Sequence, residues 1–198
     1  MLVFFKQRLA FLAMPKTGST AYESALAPYA DLALTNPPAL KHAPVYRYNR
    51  FIRPLYKNVC DVELELIAVM RDPTDWLGSW YRYRRRPSMK GHPNATSGIS
   101  FDDFVRAYCK GTRPPFADVG SQAKFLKSQS NGTAVSHLFS YENQPRLKNF
   151  LTRKLGIQFE LEIENASPRM TLELSPETRK LFRRKCAVEF DLYDSIPI

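Results

Sequence analysis

Leu9-Ala-Phe-Leu-Ala-Met-Pro-Lys-Thr-Gly-Ser-Thr20 joins six apolar residues to a short polar loop, and its reading decides the fold. An unbroken apolar run suits a strand covered on both faces, the situation inside a parallel sheet. Pro15 ends that strand. Thr20 with Glu23 three residues on forms a capping-box pattern that starts a helix near Thr20 and stops it by Pro28. The stretch is therefore a strand, a loop and a helix.

The same unit recurs downstream. Leu64 to Met70 is the strongest strand signal in the chain, and Asp72-Pro73 supplies an N-cap and a first helical residue for a helix running to about Arg85. On that helix Trp76, Leu77, Trp80 and Tyr83 fall on a packing side. Asp75, Ser79, Arg82 and Arg86 fall on a side left open to solvent or ligand. Ala134 to Tyr141 is a third strand after the Asn131-Gly132 turn. It leads into a helix from Gln144 to Leu155 that Gly156 closes. Ser100 and Asp103 cap a further helix ending at Gly111, and Ser175-Pro176 opens a last one reaching about Phe190. Pro87 to Gly98 is a long turn-rich loop. Strands alternating with helices imply an α/β sandwich around a mainly parallel sheet.

The 198 residues fit one domain, 1–198, and can bury a core without a disulfide or metal staple. Lys and Arg exceed Asp and Glu by 29 to 19, an excess of +10 that suits an anionic partner: nucleic acid, an anionic membrane surface or a polyphosphorylated small molecule. Cys60, Cys109 and Cys186 are odd in number and widely spaced, so they read as reduced structural thiols in a cytoplasmic protein. No zinc pattern accompanies them. Lys6, Gln7 and Arg8 interrupt the apolar start, which argues against a signal peptide, and no run approaches a membrane span. Asn94, Asn131 and Asn165 match the glycosylation tripeptide, a pattern that carries no meaning without secretion.

Ligands of open parallel sheets sit at the carboxyl ends of the strands. Two charged loops lie there: Pro15-Lys16-Thr17-Gly18-Ser19-Thr20 and Arg71-Asp-Pro. The first combines a glycine, hydroxyls, a lysine and a helix N-terminus, all suited to an anion. It is not a Walker A motif, because Lys16 precedes Gly18. A plain turn with a surface lysine is the rival reading. Arg71 at a strand end and Ser79 two helical turns on could converge on one phosphate. Pairing of Arg71 with Asp72 or Asp75 is the rival there.

Together these residues resemble the two cofactor motifs of sulfotransferases that use 3′-phosphoadenosine 5′-phosphosulfate (PAPS). The likeness continues through Ser100-Phe-Asp-Asp-Phe, Leu138-Phe-Ser-Tyr-Glu-Asn143, Asn165-Ala-Ser-Pro168 and Glu189-Phe-Asp-Leu-Tyr193. These strings resemble those carried at similar places by such proteins, particularly carbohydrate-type members and their bacterial relatives. The resemblance implies a three-layer, P-loop-kinase-like sulfotransferase fold with PAPS as co-substrate, no metal, and a carbohydrate or small-molecule acceptor in place of nucleic acid. Pro15 to Thr20 would then hold the 5′-phosphosulfate, Lys16 would act on the leaving phosphate, and Arg71 with Ser79 would hold the 3′-phosphate. Lys41-His42 resembles the position of the catalytic histidine, so His42 is the expected base; a loop histidine without a role is the alternative. His137, within a strand, reads as structural, and His92 as a loop residue. Ser167-Pro-Arg169 is a weak match to a basic loop over the nucleotide. Tyr81 to Arg86 reads as the solvent face and end of its helix, with a nucleic-acid patch of interleaved aromatics and arginines as the rival reading, and Arg179 to Lys185 reads as a solvated basic face. A P-loop-like kinase and a noncatalytic basic nucleotide- or nucleic-acid-binding module are the competing functions.

Overall fold

The computed structural model describes residues 1–162 and 170–197. Its strands are β1 (Leu2–Phe4), β2 (Leu9–Leu12), β3 (Leu32–Ala33), β4 (Glu65–Met70) and β5 (Val135–Ser140). Its α-helices are α1 (Ser19–Leu26), α2 (Pro38–Lys41), α3 (Val45–Arg47), α4 (Arg53–Cys60), α5 (Pro73–Arg84), α6 (Phe101–Tyr108), α7 (Gln122–Leu126), α8 (Gln144–Leu155), α9 (Pro176–Lys185) and α10 (Ala187–Asp194). By internal contacts the chain divides into two compact units, each made of separate stretches. The first holds residues 1–71, 122–164 and 196–198; the second holds 72–121 and 165–195.

The first unit is α/β. Its mixed sheet runs β3-β1-β2-β4-β5, with β2, β4 and β5 parallel and β1 antiparallel to both β2 and β3. All of β2 and the last five residues of β4 are buried, which is why both read as unbroken apolar runs. The register slips between β4 and β5 at Ser136, and the Ser136 hydroxyl accepts the Leu66 N–H at 3.2 Å, so the slip leaves no orphaned donor there. On α8, Leu147, Leu151 and Leu155 recur every four residues and pack with Phe11, Ile67, Val69 and Phe139. Fully burying one such side chain is worth roughly 1.5–3 kcal/mol.

Three features of this unit depart from the sequence reading. Met1 to Met14 is a hairpin: the polar residues that interrupt the apolar run are its turn, with Arg8 left-handed at φ 52° and its N–H bonded to the Phe5 carbonyl. α1 starts at Ser19 with Gly18 in the cap position and no side-chain cap, so Thr20 and Glu23 form no capping box; both instead meet Lys41. Val45 to Cys60, to which the sequence reading assigned no element, is helical. It passes through a π-turn at Tyr48–Ile52, where Pro54 lacks the N–H that would continue a regular ladder.

The second unit is helical around Trp76, Leu77, Tyr81, Phe104, Val105, Tyr108, Phe182 and Phe190. Its helix starts follow the sequence. Asp72 accepts from the Thr74 and Asp75 N–H groups, Ser100 from Asp103 and Ser175 from Thr178. α6 ends at Tyr108, short of Gly111, and the last helix breaks at Cys186 into α9 and α10. Asp102 ties α6 to α9: it accepts from the Ser175 N–H (2.9 Å), the Ser175 hydroxyl (2.8 Å), the Thr178 hydroxyl (2.7 Å) and Arg106 Nε (2.7 Å). Burial alone would raise its pKa; these bonds together hold the carboxyl well below the usual range.

The Tyr81 to Arg86 segment corrects another expectation. Tyr81 and Arg84 are buried, and the Arg84 guanidinium donates to the Pro115 and Asp118 carbonyls at 2.7 and 2.8 Å. It is a bracket for the 115–118 turn, not part of a solvent face. Tyr83, placed on the packing side by periodicity, is exposed.

Candidate functional site

The polar loop expected at the end of β2 is sharply folded. Lys16 and Gly18 both lie in the left-handed region, at φ 68° and 72°. A lysine there is held against its own preference, a strain of order 1–3 kcal/mol that clusters at functional sites. Thr17 is buried and its hydroxyl donates to the Met14 carbonyl at 2.9 Å, which braces the loop from inside. Ser19 is also buried. Because no side chain caps α1, its first-turn N–H groups carry the positive end of the helix dipole toward the loop.

Gly18 is required for a second reason. A Cβ at this position would lie 3.2 Å from Tyr141 Cε2. Tyr141 follows β5, its N–H bonded to the Met70 carbonyl at 2.7 Å, and its ring stacks beneath the Arg71 guanidinium with 4.3 Å between guanidinium carbon and ring centroid. Tyr141 thus touches both cationic loops.

Arg71 is fixed through its backbone. Gln122, fully buried, accepts the Arg71 N–H at 3.0 Å and donates Nε2–H to the Arg71 carbonyl at 2.8 Å. Arg71 Nε is buried and has no hydrogen-bond partner among the described residues. Asp72, one rival partner for Arg71, caps α5 through Oδ1, which accepts the Thr74 and Asp75 N–H groups at 2.8 and 3.0 Å. Gln122 and Tyr141 were not singled out by sequence reading, since each acts on a residue many positions away.

His42 ends α2, and its Nδ1 lies 2.7 Å from the Ala13 carbonyl, two residues ahead of Pro15. A carbonyl only accepts, so Nδ1 carries the proton and the neutral ring keeps its lone pair on Nε2. Burial lowers the pKa of this imidazole; the Ala13 bond opposes the shift and the Lys41 charge adds to it. Lys41 Nζ lies 3.1 Å from Glu23 and 3.4 Å from the Thr20 hydroxyl. The strand end therefore gathers the loop and His42, with Lys41 and Glu23 at the first turn of α1.

Ser79 does not lie on an open face. It is buried within α5, where its neighbour Gly78 packs so closely that a Cβ would come within 2.7 Å of Leu172. It belongs to the second unit and Arg71 to the first. His137 pairs with Glu65 at 2.9 Å and its ring lies against Phe150, as expected of a structural histidine. His92 Nδ1 accepts the Asn94 N–H inside its own loop. Ser167-Pro-Arg169 and Asn165-Ala-Ser-Pro168 fall outside the described residues. Arg179, Lys180, Arg183, Arg184 and Lys185 are exposed on α9, as read from the sequence.

Among the described residues no group of three or more His, Cys, Asp and Glu gathers as a metal site, and no helix is long and apolar enough to cross a membrane. No protein-family model matches the chain, and comparison with curated proteins finds no match.

Proposed function

We propose that the protein is a PAPS-dependent sulfotransferase, with a single three-layer sulfotransferase-like fold, that moves a sulfuryl group to a hydroxyl of a carbohydrate or small molecule. The observation that carries this reading is the bond from His42 to Ala13, which supports a neutral, base-ready imidazole at the strand end from which the anion loop springs. His42 Nε2 takes the proton of the acceptor hydroxyl as its oxygen bonds to sulfur. The bond from sulfur to the 5′-phosphate oxygen breaks, and Lys16 with the uncapped N–H groups of α1 stabilises the charge on that leaving oxygen. Arg71, with its unpartnered Nε, takes the 3′-phosphate. Ser79 is buried and is assigned no part. A cytoplasmic location, where Cys60, Cys109 and Cys186 stay reduced, goes with this reading.

A P-loop kinase is disfavoured by the order of Lys16 and Gly18, and a noncatalytic module leaves the base-ready His42 without a use. The test is thermal stabilisation by 3′-phosphoadenosine 5′-phosphate (PAP), AMP and ATP. PAP should stabilise most, by about 2.7 kcal/mol at a hundred times its dissociation constant. Arg71→Ala should remove that preference, since a charged hydrogen bond is worth roughly 1.5–3 kcal/mol. Equal stabilisation by PAP and AMP in the unmodified protein overturns the proposal.

A further inference from the structure

Exposed apolar side chains are unevenly distributed. Of the ten large hydrophobic residues exposed among the described ones, Leu40, Tyr46, Phe51, Leu55 and Val59 fall within twenty positions of one another. Phe51, Leu55 and Val59 are 61%, 52% and 75% exposed and follow each other every four residues along the helical stretch that ends in α4, so they form one outward line. A sixth, Phe5 in the β1–β2 turn, stacks on Tyr56 of α4 with ring centroids 5.9 Å apart, which joins the turn to the same surface. Isolated exposed leucines need no explanation, but a row of this kind on a short polar helix does.

The charges around the row are mostly positive, Lys6, Arg8, Arg47, Arg50, Arg53 and Lys57 outnumbering Asp31, Asp61 and Glu63. Lys6 and Arg8 in the turn, and Arg47 and Arg50 in the helical stretch, form no ion pair with described residues. Arg47 donates only to the Ala39 carbonyl, and Arg50 lies over the Phe51 ring. The acids nearby are already engaged: Asp61 by Lys57, Glu63 by Arg53, and Asp31 by the Phe5 N–H. Apolar residues projecting between unpaired arginines and lysines, with aromatic rings at the edge, are complementary to a surface that is anionic outside and apolar just beneath. A second copy of the chain would bring like charges together, so the charge pattern disfavours it as the occupant.

We infer that residues 45–60, with the Phe5–Arg8 turn, form a docking surface for an anionic membrane, lying on the lipid headgroups with Phe51, Leu55 and Val59 inserted. The contact is peripheral.

Co-sedimentation with phosphatidylcholine vesicles, with and without about 30% phosphatidylserine, tests it. The protein should pellet with the anionic vesicles and not with the neutral ones, and added salt should release it. Phe51→Ser with Leu55→Ser and Val59→Ser should lower partitioning more than tenfold. Arg50→Glu alone should lower it about fivefold or more. All four positions are exposed, so circular dichroism and the melting temperature should be unchanged. Arg179→Glu with Arg183→Glu, on the basic face of α9, provides the control for net charge and should leave binding within twofold. Absence of binding to anionic vesicles, equal binding to neutral ones, or an equal loss from the α9 pair overturns the inference. So does light scattering that shows a dimer dissociated by the triple serine variant.

Discussion

The two units treat their polar groups in opposite ways. In the helical unit Arg84 gives its guanidinium to two carbonyls, Asp102 accepts four hydrogen bonds, and α5, α6 and α9 are capped by Asp72, Ser100 and Ser175. In the sheet unit α8 is capped by Asn143 as well, but α1 has no side-chain cap. Arg71 Nε is buried without a partner among the described residues, and Lys16 is held left-handed. Buried polar groups ordinarily find partners, and leaving one unpaired costs about 1–3 kcal/mol. Under the proposed function the unpaired Arg71 Nε is kept for the 3′-phosphate, whereas saturated groups such as Asp102 hold helices together. The contrast makes a division: changes at β2 and β4 ends should alter chemistry, and changes in the helical unit should alter stability.

The largest expected effect is at His42. If its neutral Nε2 is the base, His42→Ala should lower sulfuryl transfer by about 10² to 10⁴ while PAP stabilisation stays nearly unchanged. In the unmodified protein the rate should rise with pH as the imidazole loses its proton. Because burial lowers that pKa, the midpoint should lie below the ordinary histidine value of about 6.5. A variant with near-full turnover would make the Ala13 bond merely structural, with Glu23 or Glu142 next to be tested.

Lys16 comes next. Lys16→Ala should lower turnover by about 10² to 10³ and weaken PAP binding much less, because its charge matters most as the leaving phosphate develops its own. Equal losses in rate and affinity would reduce Lys16 to a binding residue and blur the line between loop geometry and chemistry.

Asp102 tests the other half of the contrast. Asp102→Asn weakens four bonds at the α6–α9 contact and should lower stability by about 2–3 kcal/mol, read by denaturant unfolding, with turnover per folded molecule within twofold. Its folded pKa is lowered, so the stability it contributes is present above the unfolded carboxyl value and is lost as pH falls toward the folded one. The variant should therefore lose part of the acid sensitivity below about pH 4. A large loss of turnover without loss of stability would contradict the division of labour.

How far this was legible in the sequence follows from where each signal resides. β2 and β4 are buried along almost their whole length and announce themselves as apolar runs, β5 at the sheet edge is marked instead by the Asn131-Gly132 turn before it, and the caps at Asp72, Ser100 and Ser175 act within three residues. β1 and β3 are three and two residues long on the antiparallel side of the sheet, too short for periodicity to register. The loop from Pro15 to Thr20, Arg71 and His42 were visible as residue types. What holds them was not: Gln122 reaches Arg71 across 51 positions and Tyr141 packs on Gly18 from beyond β5. Ser79 and Arg84 were misjudged for a related reason. Helical periodicity puts both on polar faces, but contacts with Leu172 beside Gly78, and the carbonyls of Pro115 and Asp118, bury that part of α5.

The smallest expected effect is at His137, and it asks whether the strand-end position is what distinguishes His42. His137 lies within β5, its Nε2 is 2.9 Å from Glu65, and its ring leans on Phe150 with 4.7 Å between centroids. Glu65 also holds Lys154 at 2.9 Å, and the two hydrogen bonds, that from Lys154 first, keep its carboxyl below the usual range. The pair is partly solvent-exposed, 35% at His137 and 44% at Glu65, so screening limits its worth to about 0–1 kcal/mol. His137→Gln keeps a donor for Glu65 and leaves Lys154 in place. It should lower stability by less than about 1 kcal/mol and leave turnover within twofold, with the pH midpoint unmoved. A tenfold fall in turnover, or a shift of that midpoint, would show that the second histidine reports on the reaction, and the separation between strand ends and the rest of the sheet would no longer hold.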